Sequence, residues 1–187
     1  MISTAKYFQI SGLTLLALPQ VGNAHPWHWP DETVGFLNGL IHPLESSDHI
    51  LTMLAVGLWL ARYSRLGSCF MAMFFVALML LGGSLGFVSI EIIHAEIAMY
   101  LSVLVLSVML VLERKVSLPV GVILVGSVAV FHGYEHAYDM WLDIDAIAYT
   151  AGFALATVSL LAIGIATSWL FVSLKDKYSL AIFRAER

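Results

Sequence analysis

The chain has 187 residues, of which 60% are hydrophobic and 12% charged, with a formal net charge of −4. A soluble domain carries about 25% charged residues, so this chain lacks the charge to cover a water-facing surface, and its apolar residues come in blocks that read as membrane spans. No basic run interleaved with aromatics points to nucleic acid, and a single cysteine, Cys69, excludes an intrachain disulfide or a CxxC metal site.

Residues 1–24 read as a cleavable signal peptide. Lys6 gives the positive start, "YFQISGLTLLAL" a short apolar core broken by Pro19, and Gly22 with Ala24 the small residues of a cleavage site. A membrane helix needs about 20 apolar residues, so this core is short for the extra first span it would form if uncleaved. Residues 25–33 follow as an outer N-terminal segment. There "HPWH" offers His25 and His28 for metal capture, or equally forms an interfacial stretch anchored by Trp27 and Trp29. Asp31 and Glu32 cap the span that comes next.

Apolar blocks between polar breaks give spans at 34–61, 68–90, 95–112, 118–138 and 146–173, inside one transmembrane domain of residues 34–174. Residues 175–187 remain as a cytoplasmic tail, either solvated or a short interfacial helix. The breaks alternate in charge. Arg62 and Arg65 follow the first span, Glu91 and Glu96 the second, Arg114 and Lys115 the third, and Asp139, Asp143 and Asp145 the fourth. Lys175, Lys177, Arg184 and Arg187 close the chain. Basic loops stay inside, so the N-terminus is expected outside and the C-terminus inside. The expected fold is an all-α integral membrane bundle of five spans after a signal peptide, six if it is uncleaved. Gly82, Gly83, Ser84 and Gly86, and Gly152 with Ala156, mark places where helices can approach closely.

Two polar clusters interrupt the apolar spans. Each ionisable residue inside a membrane costs about 2.5–3.5 kcal/mol on insertion scales, so such residues mark a pathway or a site. The first cluster holds His42, Glu45, Asp48 and His49. At about 100° per residue His42 and His49 share one helix face, two turns apart. Pro43 cannot donate to the carbonyl of Gly39, so the first span is expected to kink there, with a loop over 43–47 as the alternative. The second cluster, "FHGYEHAYD", places His132, Glu135, His136 and Asp139 at i, i+3, i+4 and i+7 on a single face. Counting the rise along each span sets His42 level with His132, Asp48 and His49 about two turns deeper, and His136 and Asp139 nearer the outer mouth. His94 and Glu96 either flank that mouth or form a solvated face. A ladder of imidazole and carboxylate without thiolate suits nickel, cobalt or zinc rather than magnesium, calcium or copper(I).

At these residues the chain resembles the HupE/UreJ family, the nickel permeases associated with hydrogenases and ureases. The family's HPxxGxDH motif appears within "HPLESSDHILTMLAVGLWLA" and matches at His42, Pro43, Asp48 and His49. Its second motif, close to FHGxAHGxE, matches at Phe131, His132, Gly133 and His136. "EIAMYLSVLVL" at 96–106 and "AYTAGFALAT" at 148–157 are weaker echoes. The resemblance implies a multi-pass protein of the bacterial cytoplasmic membrane that carries Ni2+ or Co2+, with Zn2+ behind them, as a transported ion and holds no tightly bound cofactor. Ser46 stands where the family has glycine, Glu135 for a small residue, Ala137 for glycine and Asp139 for glutamate. These departures bear on which ion is carried.

The rival reading is an enzyme. "HGYEH" satisfies the H-x-x-E-H pattern, in which His132 and His136 would bind zinc and Glu135 act as base, with a third ligand from the first span. A ladder of ligands has no purpose in such a hydrolase. The expectation is therefore a permease in which His42 and His132 share the ion while Asp48 and His49 pass it inward. No nucleotide-binding motif is present, which leaves potential-driven or passive passage, or a partner protein, to drive it.

Overall fold

The computed structural model describes residues 35–45, 47–88, 90–111, 117–138 and 145–185. The expected signal peptide, His25, His28, Asp31, Glu32, Arg114, Lys115, Asp139 and Asp143 lie outside the described residues, as do the side chains of Asp48 and Glu96. The described residues form six helices in order: α1 (Phe36–Glu45), α2 (Ser47–Leu60), α3 (Arg65–Phe87), α4 (Ala95–Val111), α5 (Leu118–Tyr138) and α6 (Ala146–Ala185). Among the described residues there is no strand. Arg65–Phe87, Pro119–Ala137 and Ala146–Lys175 are long and apolar enough to cross a membrane, and His49–Leu60 and Ile97–Val108 are shorter apolar helices. An all-helical answer is what a hydrophobic solvent demands, because each backbone polar group must then be satisfied within its own segment.

Local chemistry sets the helix starts. The Ser64 hydroxyl accepts the N–H of Gly67 at 3.2 Å ahead of α3, and Asp145 Oδ1 accepts the N–H of Ala148 at 3.1 Å ahead of α6. Pro119 stands in the first turn of α5, where its missing N–H leaves no intrahelical bond unmade. Pro43 is different, since it lies inside α1 and is buried. Residues 43–45 and 47 are helical, so the loop alternative over 43–47 does not hold. Close packing of α1 along α6 supports the turn that proline leaves one hydrogen bond short.

The pairs of residues that meet fix the directions of the helices. His49 meets Phe153 and Gly57 meets Leu161 and Gly164, so α2 and α6 run in parallel. His42 meets His136, His49 meets His132, and Tyr63 reaches Gly121, so α5 runs against α1 and α2. The α3 and α5 helices lie along each other, while α4 covers α5 and α2. Close approach is purchased with missing side chains. A Cβ at Gly39 would strike the Tyr149 backbone and one at Gly152 the Phe36 backbone; across the α3–α5 seam, Gly82 faces Val130 and Gly133 faces Met79 in the same way. Two of the glycines singled out from sequence, Gly82 and Gly152, thus sit where backbones touch.

The last helix departs from expectation. The helix does not end with the expected span at 173, because α6 continues unbroken for 40 residues to Ala185. The reason is in the composition: nothing after Gly164 is a glycine or proline, so no residue stops the helix. Forty residues make a rod of about 60 Å, twice a hydrocarbon core of about 30 Å. The guanidinium of Arg65 lies 5.5 Å from the centre of the Trp169 ring, which marks where the bundle ends along α6.

Candidate metal centre

The chemistry collects where α1, α2, α5 and α6 meet. His49 on α2 and His132 on α5 are buried, at 0% and 1% exposure. His42 on α1 and His136 on α5 are half-buried beside them. His49 Nδ1 lies 2.7 Å from His132 Nε2 and 3.2 Å from His136 Nε2, and those two Nε2 atoms are 3.2 Å apart. The other nitrogen of His136, Nδ1, lies 3.1 Å from His42 Nε2. Four imidazoles from three helices therefore form one connected group.

Three nitrogens in a closed triangle cannot all be satisfied by protons. Each edge needs one donor and one acceptor, and around three members some edge always joins two of a kind. A cation facing three lone pairs removes the conflict. Ligands held about 2.0–2.1 Å from one ion stand roughly 2.9–3.4 Å from each other, so edges of 2.7, 3.2 and 3.2 Å are close to a three-nitrogen coordination face. His49, His132 and His136 are the His, Cys, Asp or Glu residues that come together this way among the described residues. All-imidazole ligation suits nickel, cobalt, zinc or copper(II) over magnesium or calcium.

Among the described residues the imidazoles meet at other levels than helix rise suggests: His42 meets His136, and His49 joins His132 and His136 in one cluster. Rise-counting locates α-carbons along straight, vertical helices. Imidazoles extend several ångströms from the backbone, and here the rings of His42 and His49 reach toward one another across His136. Glu135 is half-buried on the same helix and stands outside the three-nitrogen group. His94, in the α3–α4 connection, is exposed and holds a left-handed backbone with φ 63°. That connection is tied to α5 by Tyr134, whose hydroxyl donates to the carbonyl of Ile90 at 2.9 Å and accepts the N–H of Ile92 at 3.0 Å.

The α6 contribution was not foreseen from sequence. The Phe153 ring centre lies 5.3 Å from that of His49, 5.6 Å from His136 and 6.0 Å from His42, and Tyr149 lies 6.0 Å from His42. The available signal was Gly152, which brings the α6 backbone against α1 and thus delivers its neighbour Phe153 to the imidazoles. A cavity of about 130 Å³ opens beside the cluster between α3, α5 and α6, with Met79, Phe87, His136, Tyr149 and Phe153 in its wall. In the other direction along α2 and α5 the space is filled. Met53, Val56, Val125 and Val128 are fully buried, and the Trp59 ring closes over Gly121.

A family model described as HupE / UreJ protein matches residues 13–183. Protein HupE of Rhizobium leguminosarum bv. viciae is 38% identical over 161 residues, covering 86% of this chain and 83% of that protein. No solved structure matches the chain.

Proposed function

Because the chain belongs to the HupE/UreJ family, we propose that it is a permease for a divalent transition-metal ion, Ni2+ first and Co2+ next, in the cytoplasmic membrane of a bacterium. The observation that carries this reading is the triangle of His49, His132 and His136 nitrogens, held beside a cavity and enclosed by apolar helices. In this reading five spans cross the membrane, with the N-terminus outside. The ion arrives through the cavity that His136 borders, sheds water, and passes from the His42–His136 pair into the three-nitrogen face. His42 orients His136 through its second nitrogen, the usual way an outer partner fixes a ligand ring. Asp48 and Asp139, next to His49 and three residues after His136 in the sequence, are the carboxylates that would supply negative charge. Neutral nitrogen ligands without thiolate hold the ion moderately, as a site that must release its cargo requires.

The hydrolase alternative loses ground on geometry. His49 supplies the third ligand that reading asks of the first span, but the base it needs, Glu135, stands outside the three-nitrogen group.

Uptake of radioactive nickel and cobalt by cells carrying the wild type or His49→Ala, at matched membrane expression, tests the proposal. The wild type should accumulate one or both ions above background, and the variant should not. Equal accumulation by the two would sink the reading.

A further inference from the structure

His49 uses one edge of its ring for the triangle and leaves the other unused. Nδ1 meets His132 and His136, whereas the opposite nitrogen, Nε2, is buried and has no hydrogen-bond partner among the described residues. A second buried polar atom without a partner is the Thr157 hydroxyl on α6, a residue with 0% exposure. Trp59 Nε1 and the Tyr149 hydroxyl are buried in the same way, but Thr157 differs from other aliphatic hydroxyls in these helices. Ser107, Ser127, Ser159 and Thr167 each donate to a carbonyl three or four residues back in their own helix, at 2.7–2.9 Å. That back-bond is the ordinary resource of a hydroxyl in an apolar helix, and Thr157 does not take it. A buried polar group left in this state calls for an explanation, and one explanation is an ion or its ligand sphere.

Position links the two atoms. Phe153, Thr157 and Leu161 follow one another at one-turn intervals along the same face of α6. Phe153 packs on His49 at one end of that stretch, and Leu161 packs on Gly57 at the other. Since α2 and α6 are parallel, Thr157 lies between those two levels, alongside the stretch of α2 from His49 to Gly57. This is the side of the cluster away from the cavity, toward Met53 and Trp59.

The geometry points to a second ion position on the inner side of the cluster, formed by His49 Nε2 and Thr157 Oγ1, to which the ion moves when it leaves the three-nitrogen face. His49 then serves both positions, one with each ring nitrogen, and Thr157 supplies an oxygen in exchange for the nitrogens left behind. The inference rests on the permease reading and adds a step to it. A nitrogen–oxygen pair holds a borderline metal more weakly than three imidazoles, so the step runs toward release.

Thr157→Val keeps the shape and removes the hydroxyl, and Thr157→Ser restores it. Purified wild-type and variant proteins would be titrated with Co2+, whose visible absorption reports ligand number and type, and uptake of radioactive cobalt would be followed in cells. Thr157→Val should bind Co2+ with the wild-type spectrum and unchanged melting temperature, yet lose uptake by about ten-fold or more, the scale seen when a metal site loses a supporting group. Thr157→Ser should recover most of it. Wild-type uptake by Thr157→Val would overturn the second position and leave the permease reading intact. A changed Co2+ spectrum would also overturn it, because the hydroxyl would then belong to the first position. A lowered melting temperature would show a structural role and overturn it likewise, with Thr157→Ala as the check. A wild type that neither binds nor accumulates cobalt or nickel would remove the permease reading, and the inference with it.

Discussion

Phe153 has no donor atom for a metal, yet it contacts three of the four imidazoles. A phenyl ring in that place limits which way each imidazole can turn and keeps water from the ligand nitrogens. Outer partners of this kind are typically worth 10–100-fold in metal affinity. Phe153→Ala should therefore weaken Co2+ binding by roughly ten-fold or more while all four histidines remain, and calorimetry on the purified protein would measure it. The histidines themselves were legible in the sequence because four of them stand in spans that otherwise carry few polar residues. Phe153 was not, since a phenylalanine in an apolar helix looks the same whether it faces lipid, core or ligand. Only the approach of Gly152 to α1 distinguishes it.

At the scale of elements, the α3–α5 seam holds the site helix at its distance from its neighbours. Gly133 follows His132 directly and faces the Met79 backbone, so the residue beside a ligand is also the contact that sets the depth of α5 against α3. Gly133→Ala places a methyl group on a carbonyl that has no room to move. We expect a destabilisation of about 1–3 kcal/mol, the cost of overpacking a closed seam, read as a lowered melting temperature in detergent. A wild-type melting temperature would mean the seam can open. Except for the end of the last one, which α6 overruns to Ala185, the apolar blocks were read close to the observed helix bounds, since hydropathy reports length and composition directly. The register between helices escaped that reading by about one turn at His42 and about two at His49. It depends on which glycines meet and how far the imidazoles reach, and a single span considered alone contains neither.

For the whole molecule, the imidazole group is off-centre. On one side lies the cavity that His136 borders, and on the other Met53, Val56, Val125 and Val128 close the space between α2 and α5 with Trp59 beyond them. On the proposed reading, such an arrangement would be open on the cavity side and closed on the side of Met53 and Trp59. The alternation of basic and acidic breaks agrees with the directions found for the helices, because α2 and α6 run together and α5 runs against them. The continuation of α6 to Ala185 shows the complementary weakness of charge as a guide. Lysines mark where a chain leaves the bilayer, but they do not stop a helix.

The nitrogen triangle has a consequence for the protein without its ion. Parity is the difficulty: an odd ring of groups that must alternate between giving and taking a proton is always one partner out of step, whereas a pair is not. His136→Phe would leave His49 and His132 as a pair 2.7 Å apart, able to share one proton without conflict. The ion-free variant should then melt higher than the ion-free wild type, and Ni2+ should raise the melting temperature of the wild type but not of the variant. Thermal unfolding with and without Ni2+ measures both, and a variant that melts lower than the ion-free wild type would count against the argument. If it holds, natural selection has kept in this membrane a site that is most at odds with itself when empty, and the ion is what completes it.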